Sequence, residues 1–272
     1  MKDFNNKVVV ITGGATGIGF ALAKRLGKEG AKVVIGGLRE HRLTEAVSHL
    51  QKEKIEAVFQ LCDVTKANDL EQLEQFTRDK FGSVDVLINN AGVGGVQKTV
   101  FEISPEEIHS TLAVNFYGVW NAIRIFGQKM IAAGTPCAIY NVGSENSFFN
   151  AVKKASAYIV SKHAIHALSK SLREEAPSFM EVGIIIPGWV YTEIGPKEFM
   201  KYGMAADEFV ERLMPQIKAG EFYIVSHPYN SVRIKEAHQE VQQAFDNYAP
   251  RFDGDERYDV QLVLDSIRKK NK

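Results

Sequence analysis

A tyrosine and a lysine four residues apart are the first candidates for chemistry. Tyr158 and Lys162 stand in AYIVSKHA, a segment with a helical pattern, so their side chains share one helix face. Their ordinary pKa values, about 10 and about 10.4, suit neither group for proton transfer near neutral pH. A cation about 4 Å from a forming phenolate favours it by ~4 kcal/mol at an effective dielectric constant of ~20. Half of this energy would bring the Tyr158 pKa toward the range of a general acid or base; the alternative is an ordinary surface pair.

Two more polar residues extend this pattern. Ser144 closes the apolar run CAIYNVGS, fourteen residues before Tyr158, and its hydroxyl can orient a substrate oxygen. Asn115 lies in the segment LAVNFYG. Taken singly, both have structural explanations, as a strand-end cap and as a polar helix residue. His163 and His166 are better explained as surface or packed residues than as ligands, so we expect no metal site.

Two loop-forming segments follow apolar runs. TGGATGIG, at 12–19, opens an amphipathic stretch, and its glycines let the backbone turn tightly and approach a pyrophosphate at a helix N-terminus. NNAG, at 89–92, follows the fourth apolar run. Each segment alone is also compatible with a plain loop. Their order along the chain is what makes them informative.

The elements that must position these residues alternate along the chain. Amphipathic stretches such as 19–30 and 68–82 have the periodicity of helices. Between such stretches lie short, nearly continuous apolar runs, typical of strands buried on both faces of a parallel sheet. This alternation predicts an α/β fold, a Rossmann-like, doubly wound, seven-stranded and mainly parallel sheet with helices on both faces. The predicted strands are 7–12, 31–37, 57–63, 84–90, 137–144, 182–188 and 221–226.

The bulk composition narrows the class of protein. The chain has 272 residues, and its 33 basic residues balance its 33 acidic ones, which argues against nucleic acid or an anionic membrane as partner. No apolar stretch approaches the roughly 18 residues that span a bilayer, and the N-terminal segment lacks a signal-peptide layout. The two cysteines, Cys62 and Cys137, suggest neither a disulfide framework nor a zinc site. We expect one soluble, cytoplasmic domain over 1–272.

In this order, TGxxxGxG (Gly13, Gly17, Gly19), NNAG and YxxxK resemble the short-chain dehydrogenase/reductase family in its single-domain form. The resemblance implies hydride transfer between a nicotinamide cofactor and a carbonyl carbon. It implies that Tyr158 exchanges the alcohol proton, Ser144 orients the substrate oxygen, and Lys162 lowers the Tyr158 pKa and binds ribose hydroxyls. Asn115 would hold a water in the proton relay. The implied catalytic residues are Asn115, Ser144, Tyr158 and Lys162.

The same resemblance implies the cofactor contacts. Asp63 would bind the adenine amine, and Val190 and Thr192 would bind the nicotinamide carboxamide. Relatives that prefer NAD carry Asp at the position of Gly37, so Gly37 with Arg39 favours NADP(H), while NAD(H) stays open. The chain departs from NADP-preferring relatives at Leu38 and Thr16, which are often basic there, and Arg39 is alternatively a solvated residue. The full set is Gly13, Thr16, Gly17, Ile18, Gly19, Gly37, Leu38, Arg39, Asp63, Val64, Asn90, Ala91, Gly92, Tyr158, Lys162, Pro187, Gly188, Val190 and Thr192.

Substrate specificity is predicted for the walls beside Ser144 and for a lid at 190–220. The lid is rich in apolar residues, which either enclose a bulky substrate or pack the lid onto the core. The lid residues are Tyr191, Ile194, Phe199, Met200, Tyr202, Met204, Phe209 and Met214. The predicted substrate contacts are Ser144, Glu145, Asn146, Trp189, Ile194 and Phe199.

A C-terminal extension, 229–272, departs from the minimal family pattern. It predicts one helix over about 231–248 and a second from about 258. We expect the extension to cover the active site or to touch a neighbouring subunit. The resemblance implies a homodimer or homotetramer built through the helices that bear Asn115 and Tyr158. A packing stripe is predicted for Val232, Ala237, Val241, Ala244, Phe245 and Tyr248.

Three functions fit these observations. The leading one is a carbonyl reductase or alcohol dehydrogenase that prefers NADP(H) and acts on a hydrophobic ketone or secondary alcohol, aromatic ones included. The second is an NAD-dependent dehydrogenase that oxidises an aromatic or cyclic alcohol. The third is a regulator that senses NADP(H) without turnover, which would not need Ser144, Tyr158, Lys162 and Asn115 together.

Overall fold

The computed structural model describes residues 1–195 and 197–270. Its centre is a seven-stranded, all-parallel sheet with strand order β3-β2-β1-β4-β5-β6-β7. The predicted fold class and strand count are confirmed, and most strands are shorter than predicted because their polar ends belong to loops. The strands are β1 Val8–Thr12, β2 Lys32–Gly37, β3 Ala57–Leu61, β4 Val86–Asn89, β5 Cys137–Val142, β6 Met180–Ile186 and β7 Tyr223–Val225.

Helices cover both faces of the sheet because alternate strand residues point to opposite sides. In β1, Val9 and Ile11 belong to the core that includes residues of α1, α2 and α8, and Val10 belongs to the core that includes residues of α3, α5 and α6. The helices are α1 Gly17–Lys28, α2 Glu40–Lys52, α3 Ala67–Phe81, α4 Pro105–Leu112, α5 Gly118–Ala133, α6 Ser156–Glu175, α7 Lys197–Met200, α8 Ala206–Ala219, α9 Asn230–Tyr248 and α10 Val260–Lys270.

The strand order reverses between β1 and β4. From β1 the chain proceeds outward to β2 and β3, and it then returns to the other side of β1 with β4. At such a switch point, the loops after the two central strands diverge and leave a crevice at their carboxyl ends. The glycine-rich segment follows β1 and the NNAG segment begins at the end of β4, so both lie at this crevice.

A chain of buried amides connects the central strands to α6. Asn89 Nδ2 in β4 donates to Asn141 Oδ1 in β5 at 2.8 Å, and Asn141 Nδ2 donates to Ser169 Oγ in α6 at 3.0 Å. Ser169 in turn donates to the carbonyl oxygen of Ile165. All three polar side chains are buried, so each depends on the others for its hydrogen bonds. This chain fixes α6 against the sheet.

The structure divides into two compact units, Met1–Pro228 and Tyr229–Lys272. The second unit begins where the sequence predicts the extension, and it contains α9 and α10. Val232, Val241, Phe245 and Tyr248 of the predicted packing stripe are exposed in the single chain, so the surface that would cover the stripe stays a prediction. Residue 196 of the predicted lid and residues 271–272 of the extension lie outside the described residues. Over the described residues, no helix combines the length and apolar character needed to cross a bilayer.

We predict that Asn141→Leu destabilises the protein by about 2 kcal/mol, because it leaves the buried amide of Asn89 and the hydroxyl of Ser169 without their partner. Denaturant unfolding followed by circular dichroism measures this change. Asn68→Leu, at an exposed position, is the matched control and is expected to stay within about 0.5 kcal/mol of the wild type. Equal effects of the two substitutions would contradict the proposed role of the amide chain.

Candidate active site

The turn after β1 has a backbone that only glycines adopt easily. Gly13 and Gly17 have φ values of +65° and +56°, in the left-handed region. A methyl group at Gly19 would clash with the carbonyl oxygen of Gly13, which explains the third glycine. The side chain of Thr16 makes no capping hydrogen bond at the N-terminus of α1. The first N–H groups of α1 therefore face the crevice without a side-chain cap.

The loop after β4 is tied to this turn. Asn90 Nδ2 donates to the carbonyl oxygens of Thr12 at 3.0 Å and Gly13 at 2.9 Å. In return, Thr12 Oγ1 accepts from the backbone N–H groups of Asn90 and Ala91. These four hydrogen bonds fix the two crevice loops relative to each other.

Gly92 lies close to Asn115 and Lys162, two of the predicted catalytic residues. A methyl group at Gly92 would lie 3.3 Å from Asn115 Oδ1 and 4.0 Å from Lys162 Nζ. The absence of a side chain here keeps a small cradle open between the crevice and α6. Gly92 and the glycine turn therefore border the same crevice at the carboxyl ends of β1 and β4.

Lys162 is buried at the base of this cradle. Its Nζ donates to the carbonyl oxygen of Val142, at the end of β5, at 2.8 Å. Burial lowers the pKa of Lys162 to about 8. The backbone of Lys162 is held as well, because Ser147 Oγ donates to its carbonyl oxygen at 2.8 Å. The lysine is thus fixed at both ends.

Asn115 lies in a turn of π-helix, Ala113–Tyr117, between α4 and α5. Its Oδ1 accepts from the N–H of Val93 at 2.8 Å, and its Nδ2 donates to the Val93 carbonyl oxygen at 2.9 Å. The same Nδ2 donates to Ser161 Oγ at 3.1 Å, beside Lys162. The side chain therefore joins the loop after β4 to α6. π-turns inside α-helices occur frequently at functional sites.

Tyr158 and Lys162 share one face of α6, with Lys162 Nζ 5.6 Å from the centroid of the Tyr158 ring. Burial raises the pKa of Tyr158, a hydrogen bond with Ser144 lowers it, and the negative charge of Glu145 raises it further. The net direction is upward. This corrects the expectation that Lys162 brings the Tyr158 pKa down: the surroundings keep the phenol protonated.

The Ser144 turn is held by polar contacts on several sides. Ser144 Oγ accepts from the backbone N–H of Asn146 at 3.1 Å and from its Nδ2 at 3.3 Å. Asn146 Oδ1 also accepts from the N–H of Ala151, and Ser147 Oγ accepts from the N–H of Ser144. The Glu145 N–H donates to the Pro187 carbonyl oxygen at 2.8 Å. Ser144 Oγ thus accepts two hydrogen bonds, and the Ser144 hydroxyl also lies within hydrogen-bonding reach of Tyr158.

The loop after β6 forms the next wall. The N–H of Gly188 donates to His227 Nδ1 at 3.2 Å. The lid is closed on itself where Met204 bonds to both Trp189 and Tyr191 through backbone hydrogen bonds of 2.8 Å. Val190, between them, is buried. The backbone of this loop is thus fixed before the lid begins.

The lid residues divide into two groups. Met200, Phe209 and Met214 are buried and pack the lid onto the protein, as the alternative interpretation of the lid predicts. Trp189, Tyr191, Ile194, Phe199 and Tyr202 are between 45% and 72% exposed. Among the predicted substrate contacts, Ser144 and Glu145 lie near Tyr158, and Asn146 is bonded to Ser144. The side chains of Trp189, Ile194 and Phe199 are about half exposed.

The predicted adenosine end of the crevice lies beyond β2. Gly37 ends this strand, Leu38 is 70% exposed, and Arg39 precedes α2. Asp63 follows β3, and its carboxylate accepts from the N–H and the hydroxyl of Thr65, which lower its pKa. Two further predicted contacts lie against the core: Ile18, in the first turn of α1, is partly buried against it, and Val64 is buried.

Several site residues escape prediction from the sequence. Ser147 and Ser161 lie next to predicted residues, but a serine without a motif carries no recognisable signal. Glu193 forms ion pairs with Arg39 and Arg42 from a part of the sequence more than 150 positions away. Only the fold brings these residues together. Over residues 1–195 and 197–270, no cluster of three or more His, Cys, Asp or Glu side chains could hold a metal ion.

Known proteins are similar to this chain in sequence and in structure. A family model described as short chain dehydrogenase matches residues 7–202, which include all four predicted catalytic residues. The A-factor type gamma-butyrolactone 1'-reductase (1S-forming) of Streptomyces virginiae is 30% identical over 217 residues, covering 79% of this chain and 84% of that protein.

Two solved structures extend this comparison. The apo form of LigO from Sphingobium sp. strain SYK-6 has a TM-score of 0.84 and 25% identity, covering 100% of this chain and 99% of that one. The 3-ketoacyl-(acyl-carrier-protein) reductase from Brucella melitensis, complexed with NADH, has a TM-score of 0.73 and 27% identity, covering 82% of this chain and 96% of that one.

The buried Lys162 predicts a pH-dependent stability. Its pKa is about 8 when folded and about 10.4 when unfolded, so between these values the unfolded chain binds more protons. The free energy of unfolding therefore gains about 2 kcal/mol from this residue between pH 7 and pH 9.5. Unfolding of the wild type and of Lys162→Met at both pH values measures the difference, with the exposed Lys170→Met as control. If the wild type gained nothing over Lys162→Met as the pH rose, the Lys162 pKa would not be lowered.

Proposed function

The chain belongs to the short-chain dehydrogenase family, and from this premise we propose that it reduces a hydrophobic ketone to a secondary alcohol with NADP(H) as the favoured cofactor. The observation that carries the proposal is the position of the half-buried Tyr158 beside Ser144 and on the same face of α6 as Lys162, whose Nζ lies next to Gly92. The family acts on small molecules and uses nicotinamide cofactors. The residues present fit that use.

The cofactor residues fit the two ends of a dinucleotide. The N–H groups at the start of α1 suit the pyrophosphate, because helix N-termini favour anions. Lys162 has three hydrogens to donate and gives one to Val142, which leaves two for ribose hydroxyls at the Gly92 cradle. When bound, the nicotinamide supplies or accepts the hydride, which is chemistry that no side chain of the protein supplies.

Tyr158 is the proposed proton donor. Burial and the nearby Glu145 keep it a neutral phenol, which is the form that can give a proton to a carbonyl oxygen as that oxygen gains negative charge. Ser144 holds the same oxygen with its hydroxyl, because its own oxygen is already occupied by two N–H donors from Asn146. Such a preorganised donor stabilises the charge that develops in the transition state. These features support the reductive direction.

Lys162 and Asn115 are the proposed auxiliary residues for proton transfer by Tyr158. The Lys162 ammonium compensates the charge that Tyr158 acquires when it gives up its proton. Asn115 connects Val93 to Ser161, so we assign it the role of holding the cofactor loop and α6 at a fixed distance. This positioning role differs from the water-holding role that the sequence resemblance implies.

The proposed preference for NADP(H) rests on the residues that follow β2, where the adenosine part of the cofactor would bind. Gly37 places no carboxylate where one would repel a 2′-phosphate, and Arg39 and Arg42 lie just beyond it. The main alternative is an NAD-dependent dehydrogenase that oxidises a cyclic or aromatic alcohol. It is favoured by one observation, the ion pairs of both arginines with Glu193.

Substrate and assembly are proposed from exposed apolar side chains. Trp189, Ile194 and Phe199 offer a surface that suits a bulky hydrophobic ketone. On the π-turn and α5, Tyr117 and Trp120 are about half exposed and meet Phe116 edge-on. This aromatic surface supports the predicted homodimer or homotetramer.

Tyr158→Phe is expected to lower kcat by about 10²–10⁴-fold while cofactor affinity is retained, because only the exchangeable proton is removed. The assay follows NADPH and NADH consumption with a panel of aryl, cyclic and aliphatic ketones, and fluorescence titration gives the affinity. Tyr258→Phe, at a 72% exposed tyrosine, is the control. Unchanged turnover in Tyr158→Phe would refute the mechanism. Cofactor binding by the wild type without turnover of any ketone would favour a sensor.

Gly37→Asp is expected to lower the kcat/KM ratio of NADPH to NADH at least about tenfold, equal to ~1.4 kcal/mol, through repulsion of the 2′-phosphate. The new side chain fits without strain, since a Cβ there meets nothing closer than Leu43 Cδ2 at 3.5 Å. Gly37→Asn has the same size without the charge and controls for bulk. If both variants changed the ratio equally, charge at this position would not select the cofactor.

A further inference from the structure

One acidic residue of the lid reaches across to the adenosine end of the crevice. Glu193 Oε2 lies 3.4 Å from Arg39 Nη2, and Glu193 Oε1 lies 3.6 Å from Arg42 Nη2. Each arginine thus faces a different oxygen of one carboxylate. We call Arg39 and Arg42 the arginine pair.

Glu193 occupies this position because the start of the lid lies against the phosphate turn. Its neighbour Thr192 is so close to Gly17 that a methyl group at Gly17 would lie 3.1 Å from Thr192 Cγ2. On its other side, the carbonyl oxygen of Ile194 lies 3.0 Å from where a methyl group at Gly94 would be. Residues 192–194 therefore lie across the crevice, between the glycine turn and the loop after β4.

The arginine pair begins two residues after Gly37, where a 2′-phosphate would be read. A carboxylate with one arginine on each oxygen presents the same kind of acceptor that two phosphate oxygens would present. The other acid near the pair is Glu45, 3.7 Å from Arg42, so Glu193 is the carboxylate that both arginines share. All three side chains are between 40% and 54% exposed, which keeps their ion pairs weak and exchangeable.

We propose that Glu193 is a specificity-determining residue whose carboxylate competes with the cofactor 2′-phosphate for the arginine pair. The proposal rests on the NADP(H) preference proposed above. A nucleotide with a 2′-phosphate has to displace Glu193 before it gains the two arginines, whereas a nucleotide without this phosphate leaves the ion pairs intact. Glu193 thereby narrows the difference in affinity between NADP(H) and NAD(H).

Isothermal titration of the full chain with adenosine 2′,5′-bisphosphate and with 5′-AMP tests this competition without any turnover. Glu193→Gln is expected to bind the bisphosphate about 3–10-fold more tightly than the wild type does, since it loses two exposed ion pairs. Its affinity for 5′-AMP is expected to change less than about twofold. Glu198→Gln removes the same charge from an exposed lid position and serves as matched control.

Binding by the glutamate variant tests the competition, and binding by the arginine variants tests the NADP(H) preference on which it rests. If Glu193→Gln matched Glu198→Gln, or weakened both nucleotides alike, Glu193 would not compete with the phosphate. Arg39→Ala and Arg42→Ala test the premise: both should weaken binding of the bisphosphate and leave 5′-AMP unchanged. If neither did, the NADP(H) preference itself would be wrong. Weaker bisphosphate binding in the arginine variants with no gain in Glu193→Gln would overturn the inference alone.

Discussion

The whole site depends on keeping one ammonium group away from water. Lys162 Nζ is buried against the carbonyl oxygen of Val142, and burial of a charge is costly unless it is hydrogen-bonded. The protein meets this requirement by fixing α6 from several directions. Ser147 holds the lysine backbone, Ser161 connects to Asn115, and Ser169 connects to the buried amides of β4 and β5. Each contact that positions the lysine also positions the tyrosine one turn earlier on the same helix.

The sequence was sufficient for the fold because the fold follows local rules, whereas the catalytic roles of Asn115, Ser144, Tyr158 and Lys162 stay predictions. Alternating apolar runs and amphipathic stretches predict a parallel sheet with helices on both faces, and the seven strands are found in those places. The contacts of Asn115 with Val93 and of Glu193 with two arginines were not predictable, because they join residues distant in the chain. Neither periodicity nor motif spacing in the sequence predicts which distant residues come into contact.

One expectation failed for a physical reason. An (i, i+4) pair predicts that a lysine lowers the pKa of its tyrosine, but the helix places Lys162 Nζ 5.6 Å from the ring centroid, and desolvation of the half-buried Tyr158 prevails. The apolar stripe of α9 stays a prediction, because its side chains are exposed in the single chain and the expected covering surface includes a neighbouring subunit. Periodicity tells which residues share a face, and it does not tell whether another surface covers that face.

The π-turn at Asn115 also separates the orientation of the Asn115 side chain from the orientation of α5, the helix that follows it. A π-turn contains one residue more than an α-helical turn, and one residue corresponds to about 100° of rotation around a helix. The five residues Ala113–Tyr117 therefore rotate α5 by about 100° from the orientation that a continuous α-helix would give it. Asn115 thus reaches Val93 while Val119 and Ala122 of α5 are buried in the core. The extra residue of the π-turn therefore lets one continuous stretch of helix direct a polar side chain to the site and an apolar face to the core.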